Sequence, residues 1–489
     1  MKYICSYIIL KVNIIINLFL GVDPIIHKYQ ILIKKVILGI KHMVRFSLTL
    51  LISFIIFNCS GQKGDWDDPR VILVSIDGFR GDLFKLPGFS DQFPNLHRLA
   101  SSGVYCDNVS SVFPSLTYPS HTSMITGEPP SKHGITNNNP FKPETNFSDW
   151  YWYQDSVRVE SVIDRIKDKR MISLGISWPV TVGAPITWGF PEIKSTTDTI
   201  STAMLVMKHD MPDHFIESAQ LRGVINPMAS TEGYSRDVLL HKMFMDAFRR
   251  KRPHLSLYHM LQTDFEQHDH GKNSPEAQVA FAFMDSLIGN IITFLDKKNL
   301  WSSTTLFITG DHGFRDVKKQ LNINRLFADQ GWLRIVDKKI IAGWKVACLS
   351  TGGSAFVRIK DQNDHLFRKK VRLLLAKRLE FETLERRHMN GYLSTAERTD
   401  FLLLANKNYA FSKDLDKPYI YDESGGTHGG DPSQKHLKTG FIACGRNIKQ
   451  GTILENMRIT QIAPAVSELL NLGLSCSTET PPGLIQGSD

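Results

Sequence analysis

Acidic and imidazole side chains follow the predicted strands of this chain at the points where those strands end. Asp77 comes directly after the apolar run VILVSI, and Asp264 comes after LSLYHMLQT. Asp311 and His312 follow TTLFITG. Because the carboxyl ends of parallel strands meet at one edge of a sheet, we expect these side chains to share one crevice. His268 lies four residues after Asp264, a spacing that places two side chains on one side of a helical turn.

A further histidine, His428, lies near the end of the chain in the glycine-rich segment ESGGTHGGDP. Glycine allows the backbone of such a loop to approach other groups closely. Each of these residues alone has an ordinary structural explanation, since an aspartate at a strand end commonly caps a turn. Three aspartates at strand ends and three histidines on adjoining loops together indicate a metal site. Mixed carboxylate and imidazole ligands favour Zn²⁺ over Mg²⁺ or Ca²⁺, which prefer oxygen ligands.

The segment FPSLTYPSHTSMITGEPPSKHGITNN, residues 113–138, contains a hydroxyl that could react at such a site. Thr117 lies two residues before Pro119, and proline is favoured in the first turn of a helix. The spacing predicts that Thr117 lies at a helix N-terminus, where free backbone N–H groups favour an anion such as phosphate. A threonine before a proline is also typical of a plain helix cap. The metal-ligand residues elsewhere in the chain favour the reactive role.

Alternating apolar segments predict the elements that position these residues. Predicted strands cover residues 71–76, 171–176, 255–261, 304–309 and 440–444. Predicted helices cover residues 95–102 and 275–297. Strands that alternate with helices at this spacing indicate an α/β fold with a mostly parallel central sheet and helices on both faces. Residues 320–417 are less regular and richer in charge, which predicts an insertion or cap carried by the same domain.

The first part of the chain is typical of targeting sequence. Residues 1–42 are rich in Ile and Lys, and a second candidate start at Met43 indicates that they are upstream sequence from a mis-set start. Residues 43–59 combine a positive segment, an apolar run and Cys59, which is the layout of an export signal ending at a candidate lipidated cysteine. We therefore expect export to the periplasm, or attachment to a bacterial membrane as a lipoprotein. A polar tether is predicted at residues 60–69, the main domain at residues 70–472 and a tail at residues 473–489.

Net charge and cysteine usage narrow the classes of partner. The chain carries a formal net charge of +9, but residues 1–58 contribute +6 of it and leave +3 for the rest. No basic stripe with interleaved aromatic residues is present, so the sequence gives no indication of a nucleic-acid-binding surface. Four cysteines follow Cys59, which allows two disulfides in an oxidising compartment, and no CxxC pair is present.

Six short motifs occur in a specific order along residues 71–444. They are IDGFR, FPSLTYPSHTSMITG, KHGITNN, TDFEQH, TGDHG and GTHGG. This set resembles the nucleotide pyrophosphatase/phosphodiesterase family of the alkaline phosphatase superfamily. The resemblance implies an alkaline-phosphatase-like α/β fold and two bound zinc ions.

The resemblance also implies roles for particular residues. One zinc ion would be held by Asp264, His268 and His428. The other would be held by Asp77, Thr117, Asp311 and His312. Thr117 would be the nucleophile, and Asn138 would donate a hydrogen bond to a phosphoryl oxygen.

Residues near the nucleophile bear on the substrate. Tyr118 matches the family position whose aromatic ring stacks on a nucleobase, and core packing is the alternative. Three tryptophans either line the leaving-group side or simply pack: Trp150, Trp152 and Trp178. The family form of the fourth motif has Pro before the aspartate and Gly before the histidine. Thr263 and Gln267 occupy those places here, so this loop departs from the family pattern.

These features predict a zinc-dependent hydrolase that cleaves phosphodiester or pyrophosphate bonds through a phosphothreonine, with a nucleotide or another small phosphodiester as substrate. A phosphomonoesterase of the same superfamily is the alternative, but it needs extra cations, and no motif-anchored Arg or Lys lies near Thr117. A sulfatase is disfavoured because the sequence LTYPSH lacks a C/S-x-P-x-R motif. A non-catalytic surface binding protein is the remaining alternative, and it is disfavoured because such a protein gains little from seven converging ligands.

Overall fold

The computed structural model describes residues 63–196, 200–226, 232–389 and 398–487. The predictions of an upstream segment, an export signal and a lipidated Cys59 lie outside the described residues.

Eighteen strands occur in the described residues. In chain order they are β1 Arg70–Ile76, β2 Val104–Ser110, β3 Ser173–Ile176, β4 Trp188–Phe190, β5 Leu255–Met260, β6 Thr304–Thr309, β7 Arg315–Leu321, β8 Ile335–Val336, β9 Lys339–Ile340, β10 Val346–Ser350, β11 Ser354–Ile359, β12 Phe381–Glu385, β13 Phe401–Ala405, β14 Asn408–Phe411, β15 Ile420–Thr427, β16 Thr439–Gly445, β17 Thr452–Ile453 and β18 Met457–Arg458.

The described α-helices, again in chain order, are α1 Phe89–Gln92, α2 Pro94–Ser102, α3 Thr117–Thr126, α4 Pro130–His133, α5 Val162–Asp168, α6 Thr202–Lys208, α7 Phe215–Leu221, α8 Gly233–Lys251, α9 Gln262–His270, α10 Pro275–Lys298, α11 Ile323–Asp329, α12 His365–Ala376 and α13 Ile462–Leu469. Short 3₁₀ helices lie at Gly81–Lys85, Pro143–Thr145, Gln154–Ser156, Arg386–His388, Lys435–Leu437 and Ile459–Gln461.

Strand β1 is central to the largest sheet, whose order is β17-β2-β16-β6-β1-β5-β3-β4. Every residue of β1 is buried, as expected for a strand covered on both faces. Its alternate side chains enter two different cores. Ile72 and Val74 pack in the core that contains apolar residues of α2, α8 and α10. Val71 and Leu73 pack in the core that contains apolar residues of α3, α5 and α13. The predicted α/β architecture with helices on both faces is confirmed.

The sheet is parallel in the middle and mixed at one edge. β6, β1, β5, β3 and β4 run parallel. β16 runs antiparallel to both β6 and β2, with Phe441 opposite Thr309. The chain reaches β16 from the same end of the sheet at which β6 finishes, so β16 must run back in the opposite direction. The prediction of parallel strands is therefore correct for the centre of the sheet and wrong for this edge.

Residues 320–417, predicted as an insertion or cap, contain a second sheet with the order β10-β11-β13-β12 and antiparallel pairing throughout. Phe356, Val371 and Leu403 belong to a separate hydrophobic core in this region. A three-stranded sheet, β14-β7-β15, runs beside it. Because β7 starts six residues after β6 ends, this small sheet connects the second region to the site end of the large sheet.

Both ends of the described chain pack more closely than predicted. Within the segment predicted as a tether, Trp66 contacts Phe248 with ring centroids 5.5 Å apart. Within the predicted tail, Leu484 and Ile485 are buried in the core beneath α13. The folded domain therefore extends beyond the predicted boundaries at residues 70 and 472. Trp66, an apolar residue in the polar segment 60–69, was the sequence feature that could have indicated this packing.

Helix α10 is long and apolar enough to cross a membrane by length and composition alone. Its residues Phe281, Ile288 and Ile292 are buried in the core beside β1, so it packs here as a core helix. The four described cysteines are free thiols, and the two disulfides that the sequence allows are not formed: Cys106, Cys348, Cys444 and Cys476.

Candidate active site

Three strand ends bring the predicted carboxylates to one place. Asp77 directly follows β1, and Asp311 follows β6 after a single glycine. Asp264 lies in the first turn of α9, which begins two residues after β5 ends. The register pairs Ile76 at the end of β1 with Met260 at the end of β5, so these strands finish level with each other. The expected convergence at the carboxyl edge is therefore observed.

The first group of possible metal ligands is Asp77, Asp311 and His312. Nε2 of His312 lies 3.3 Å from Oδ1 of Asp77 and 3.2 Å from Oδ2 of Asp311. The other oxygen of Asp311, Oδ1, accepts hydrogen bonds from the backbone N–H groups of Gly78 and His312. These bonds hold the carboxylate with Oδ2 directed into the group.

The second group contains Asp264, His268 and His428. Nε2 of His268 lies 3.6 Å from Oδ1 of Asp264, and Nε2 of His428 lies 3.5 Å from the same oxygen. The rings of His312 and His428 stack with centroids 3.6 Å apart, so the two groups are adjacent. The structure thus brings together six of the predicted ligands, and His312 also lies close enough to Asp264 and His428 to form a group with them.

Backbone carbonyls orient all three histidines. Nδ1 of His268 lies 3.0 Å from the carbonyl oxygen of Gly426, and Nδ1 of His428 lies 3.0 Å from that of Ser115. Nδ1 of His312 lies 3.3 Å from the carbonyl oxygen of its neighbour in the chain. Because a carbonyl oxygen only accepts, each Nδ1 donates and each Nε2 keeps a lone pair. Metal-binding histidines are commonly oriented in this way, with the other ring nitrogen donating to a carbonyl or carboxylate oxygen.

Glycine is required beside one of these histidines. Gly429 has φ +79°, and a Cβ there would lie 2.0 Å from the carbonyl oxygen of Thr351. The Gly429 N–H also donates to the carbonyl oxygen of Ser115, the same oxygen that orients His428. The GTHGG motif therefore presents His428 through a turn that other residues do not tolerate.

Several buried ligand atoms are left without hydrogen-bond partners, as expected where a cation binds. Within the described residues, four buried ligand atoms lack any hydrogen-bond partner: Asp77 Oδ1, Asp264 Oδ1, Asp311 Oδ2 and His312 Nε2. Unpaired buried carboxylate oxygens are costly unless a cation neutralises them. Burial raises the pKa of Asp77 well above its usual value, and the carboxylates of Asp264 and Asp311 raise it further. A divalent cation at this position would offset both the burial of the Asp77 charge and its repulsion by the other two carboxylates.

Burial has the opposite effect on two of the histidines. It lowers the pKa of His312 and that of His428 well below the ordinary value for imidazole. Both rings are therefore neutral at physiological pH, which is the form that coordinates metals. The donor set of carboxylates and neutral imidazoles fits zinc better than an ion that prefers oxygen.

The predicted nucleophile lies beside these groups. Helix α3 begins at Thr117, as predicted, and Thr117 lines the same cavity as Asp77, Asp264 and His428. Asn138 lines the cavity as well, and its Oδ1 accepts a hydrogen bond of 3.0 Å from the backbone N–H of Tyr118. This bond leaves the Nδ2 amide group of Asn138 as its available donor.

Tyr118 does not offer the open stacking surface that the resemblance implied. Its side chain is 1% exposed, and its hydroxyl donates to Oε1 of Glu192. Trp150 and Trp152 pack edge-on against it, with ring centroids 5.1 and 5.7 Å away. These two tryptophans are partly exposed and line the cavity, whereas Trp178 is fully buried and packs. The accessible aromatic surface therefore belongs to Trp150 and Trp152.

The two residues that depart from the family pattern tie α9 to the end of β1. The Thr263 hydroxyl donates to the carbonyl oxygen of Asp77 at 2.6 Å. The Gln267 side-chain amide donates to the carbonyl oxygen of Gly78 at 3.1 Å. Thr263 and Gln267 therefore fix the position of Asp264 relative to Asp77 through side-chain hydrogen bonds.

Sequence reasoning missed a buried histidine next to the ligands. Nε2 of His259 lies 3.3 Å from Oδ2 of Asp77, and its Nδ1 faces the carbonyl oxygen of Ser177 and Oε2 of Glu192. Although burial opposes the charge, the hydrogen bonds to Asp77 and Glu192 raise the pKa of His259 to about 10. Its place inside an apolar strand, five residues before Asp264, could have identified His259 from the sequence.

A second missed residue is a cation. The sequence indicates no motif-anchored Arg or Lys near Thr117, yet Lys413 lines the same cavity of about 940 Å³. Lys413 lies two residues after β14, outside all six motifs. We call the cavity-lining Asp77, Asp264, His268 and His428, together with the buried Asp311 and His312 that adjoin them, the strand-end wall of the cavity. We call Trp150, Trp152, Glu192 and Lys413 its aromatic wall.

A parallel α/β sheet with aspartates at its strand ends, histidines on adjoining loops and a threonine at a helix start defines an alkaline-phosphatase-like protein. The solved structures support this class. An inactive variant of murine ectonucleotide pyrophosphatase/phosphodiesterase 5 in complex with AMP superposes with a TM-score of 0.62 and 19% sequence identity. The alignment covers 84% of this chain and 98% of that one.

The model of the type I phosphodiesterase/nucleotide pyrophosphatase family matches residues 71–431. The chain belongs to this family, so the resemblance seen in the motifs is confirmed. It is 26% identical to the bis(5'-adenosyl)-triphosphatase ENPP4 of Bos taurus over 289 residues, which are 58% of this chain and 55% of that protein.

It is also 25% identical to human ectonucleotide pyrophosphatase/phosphodiesterase family member 5 over 415 residues, covering 83% of this chain and 75% of that protein. For several other curated relatives, such as ENPP4, the chain spans about half of their length.

Proposed function

We propose that this protein hydrolyses phosphodiester or pyrophosphate bonds of nucleotide substrates, with Thr117 as nucleophile and two zinc ions as cofactors. The observation that carries the proposal is the set of four buried ligand atoms without hydrogen-bond partners. They belong to Asp77, Asp264, Asp311 and His312, and Asp77 and Asp264 line the same cavity as Thr117, the first residue of α3. Family membership supports the reaction class. Asp77, Asp311, His312 and Thr117 would hold one ion, and Asp264, His268 and His428 the other.

The reaction would proceed in two displacements at phosphorus. The Thr117 hydroxyl oxygen bonds to phosphorus while the bond from phosphorus to the leaving oxygen breaks, and the threonine proton ends on that leaving oxygen. A water oxygen then replaces the threonine oxygen, and one of its protons returns to Thr117. When bound, zinc supplies Lewis-acid stabilisation of the phosphoryl charge and lowers the pKa of a nearby hydroxyl. Each displacement inverts phosphorus, so the net result is retention.

The chain's own residues position the phosphoryl group. Because α3 begins at Thr117, the positive end of its dipole lies near the nucleophile and favours an anion there. The Asn138 amide is oriented by the Tyr118 N–H, so its NH₂ group can donate to a phosphoryl oxygen. A positioned neutral donor of this kind contributes about 2.7 to 4 kcal/mol where it serves an oxyanion.

One observation favours a second candidate function, that of a phosphomonoesterase. Lys413 lines the cavity, and an additional cation suits the dianion of a monoester. The partly exposed Trp150 and Trp152 favour the diester, because a diester carries a second organic substituent that needs an apolar surface. The substrate preference of the purified protein separates these functions.

The test compares p-nitrophenyl-thymidine monophosphate with p-nitrophenyl phosphate in the presence of zinc. We expect kcat/KM to be at least ~10²-fold higher for the nucleotide diester, a difference of ~2.7 kcal/mol. Thr117→Ala should lower turnover at least ~10³-fold because it removes the nucleophile, whereas Thr117→Ser should retain measurable activity. Preference for the monoester would show a phosphatase. An alanine variant with normal turnover would require a different nucleophile.

A further inference from the structure

The side chain of Lys413 enters the cavity from a part of the chain that the catalytic motifs do not include. It is exposed to the cavity, and its Nζ donates a hydrogen bond of 2.9 Å to Oδ1 of Asn139. Nδ2 of Asn139 donates to the carbonyl oxygen of Asp149 at 2.7 Å, which turns Oδ1 toward the lysine. Nζ also lies 5.9 Å from the centre of the Trp150 ring. Lys413 is therefore held by neutral groups.

The charge of Lys413 is not balanced by a carboxylate. Some lysines of the described chain form ion pairs, such as Lys142 with Asp149 and Lys272 with Asp82. No described carboxylate forms an ion pair with Lys413, whose hydrogen-bond acceptor is an amide oxygen. Desolvation by the protein atoms around the cavity lowers the pKa of Lys413 to about 8, so the ammonium group remains mostly charged at neutral pH. A cation in this setting favours an anionic ligand.

The position of Lys413 relative to the nucleophile is defined by two adjacent asparagines. Asn139 binds Lys413, and Asn138 binds the N–H of the residue that follows Thr117. The contacts of Lys413 lie on the aromatic wall, whereas the ligand atoms of the strand-end wall serve the phosphoryl group under attack. Only one of the three hydrogens on Nζ is used by Asn139, so the others can reach a ligand.

We propose that Lys413, together with Asn139 and Trp150, forms a subsite for a second phosphoryl group of the substrate, separate from the one that Thr117 attacks. This inference rests on the proposed function. The second group is either a β-phosphate or a phosphate on the ribose. The subsite would favour nucleotides with two phosphoryl groups over simple phosphodiesters. Lys194 and Arg236 also line the cavity, but the hydrogen bond to Asn139, the residue next to Asn138, distinguishes Lys413.

The test measures equilibrium binding by calorimetry to the zinc-loaded protein, using three ligands that are not turned over at the α-phosphate. They are AMP, α,β-methylene-ADP and adenosine 3′,5′-bisphosphate. Lys413→Met removes the charge at similar volume. We expect it to weaken one of the two bisphosphorylated ligands about 10-fold or more, as for loss of a charged hydrogen bond. Binding of AMP should change less than about 3-fold.

Two further variants complete the test. Lys413→Arg keeps the charge and should retain most of the binding. Lys417→Met is the matched control, because Lys417 lies four residues away over the ring of Tyr421 and does not line the cavity. It should leave all three affinities unchanged. The ligand that responds to Lys413→Met identifies the position of the second phosphate.

Several outcomes would overturn the inference. An equal loss of all three ligands would assign Lys413 to the phosphoryl group under attack. No loss, or no binding of the bisphosphorylated ligands to the wild type, would mean that the subsite does not exist. The binding measurement requires no turnover. An absence of hydrolysis would therefore contradict the proposed function without contradicting the subsite. Conversely, normal diester hydrolysis with unchanged ligand binding in Lys413→Met would contradict the subsite alone.

Discussion

The two walls of the cavity differ in how the chain builds them. The strand-end wall comes from short motifs placed where β1, β5 and β6 finish, and backbone hydrogen bonds orient its side chains. The aromatic wall comes from loops far apart in sequence, and its members contact one another mainly through side chains, as Trp150 does with Trp152. Under the proposed function, the chemistry and the choice of substrate would be carried by separate parts of the molecule.

Removal of metal should have the largest effect, and it should act on the strand-end wall. We expect about two zinc ions per chain in active protein and a loss of turnover of at least ~10³-fold after chelation. The physical reason is that Asp77, Asp264 and Asp311 each keep a buried oxygen without a hydrogen-bond partner. Elemental analysis and assays before and after adding zinc back would check this. Full activity with fewer than one ion per chain would contradict the metal assignment.

His259→Gln should have an intermediate effect, because His259 connects the two walls. It contacts Asp77 on one side and Glu192 on the other. We expect zinc affinity to fall about 10- to 100-fold, as for loss of groups that orient metal ligands. Competition with a chelator of known affinity measures this quantity directly.

The matched control for that variant is His241→Gln. His241 is also a buried histidine, but it packs against Tyr258 and contacts no ligand of the strand-end wall. Its replacement should leave zinc affinity unchanged. Equal losses of affinity in both variants would show a general effect on folding rather than a role for His259 in positioning Asp77.

Trp150→Ala should have the smallest effect and should act on substrate choice. We expect KM for a nucleotide substrate to rise about 10-fold, in the range for loss of base stacking, while bis-p-nitrophenyl phosphate changes little. Trp332→Ala provides the comparison, since Trp332 packs against Phe327 and Phe367 in the second region. A uniform loss of activity on both substrates would place Trp150 among the residues that support the chemistry.

The sequence predicted the strand-end wall because its signals are local. Apolar runs located β1, β5 and β6 closely, and the residue after each run could be read directly. The direction of β16 could not be predicted, because it depends on where the chain returns after the second region. Nothing near Lys413 in the sequence marks it, since its place in the cavity arises from contacts with Asn139 and Trp150.

The central position of β1 also has a consequence for the order in which the protein becomes functional. β1 is the first strand of the large sheet to be synthesised, but its neighbours β5 and β6 come much later, and His428 later still. Long-range pairing of this kind slows folding, because distant segments must meet before they gain contacts. The second ligand group is incomplete until His428 is made. Loading of the second ion would therefore require nearly the whole chain and could not assist the early steps of folding.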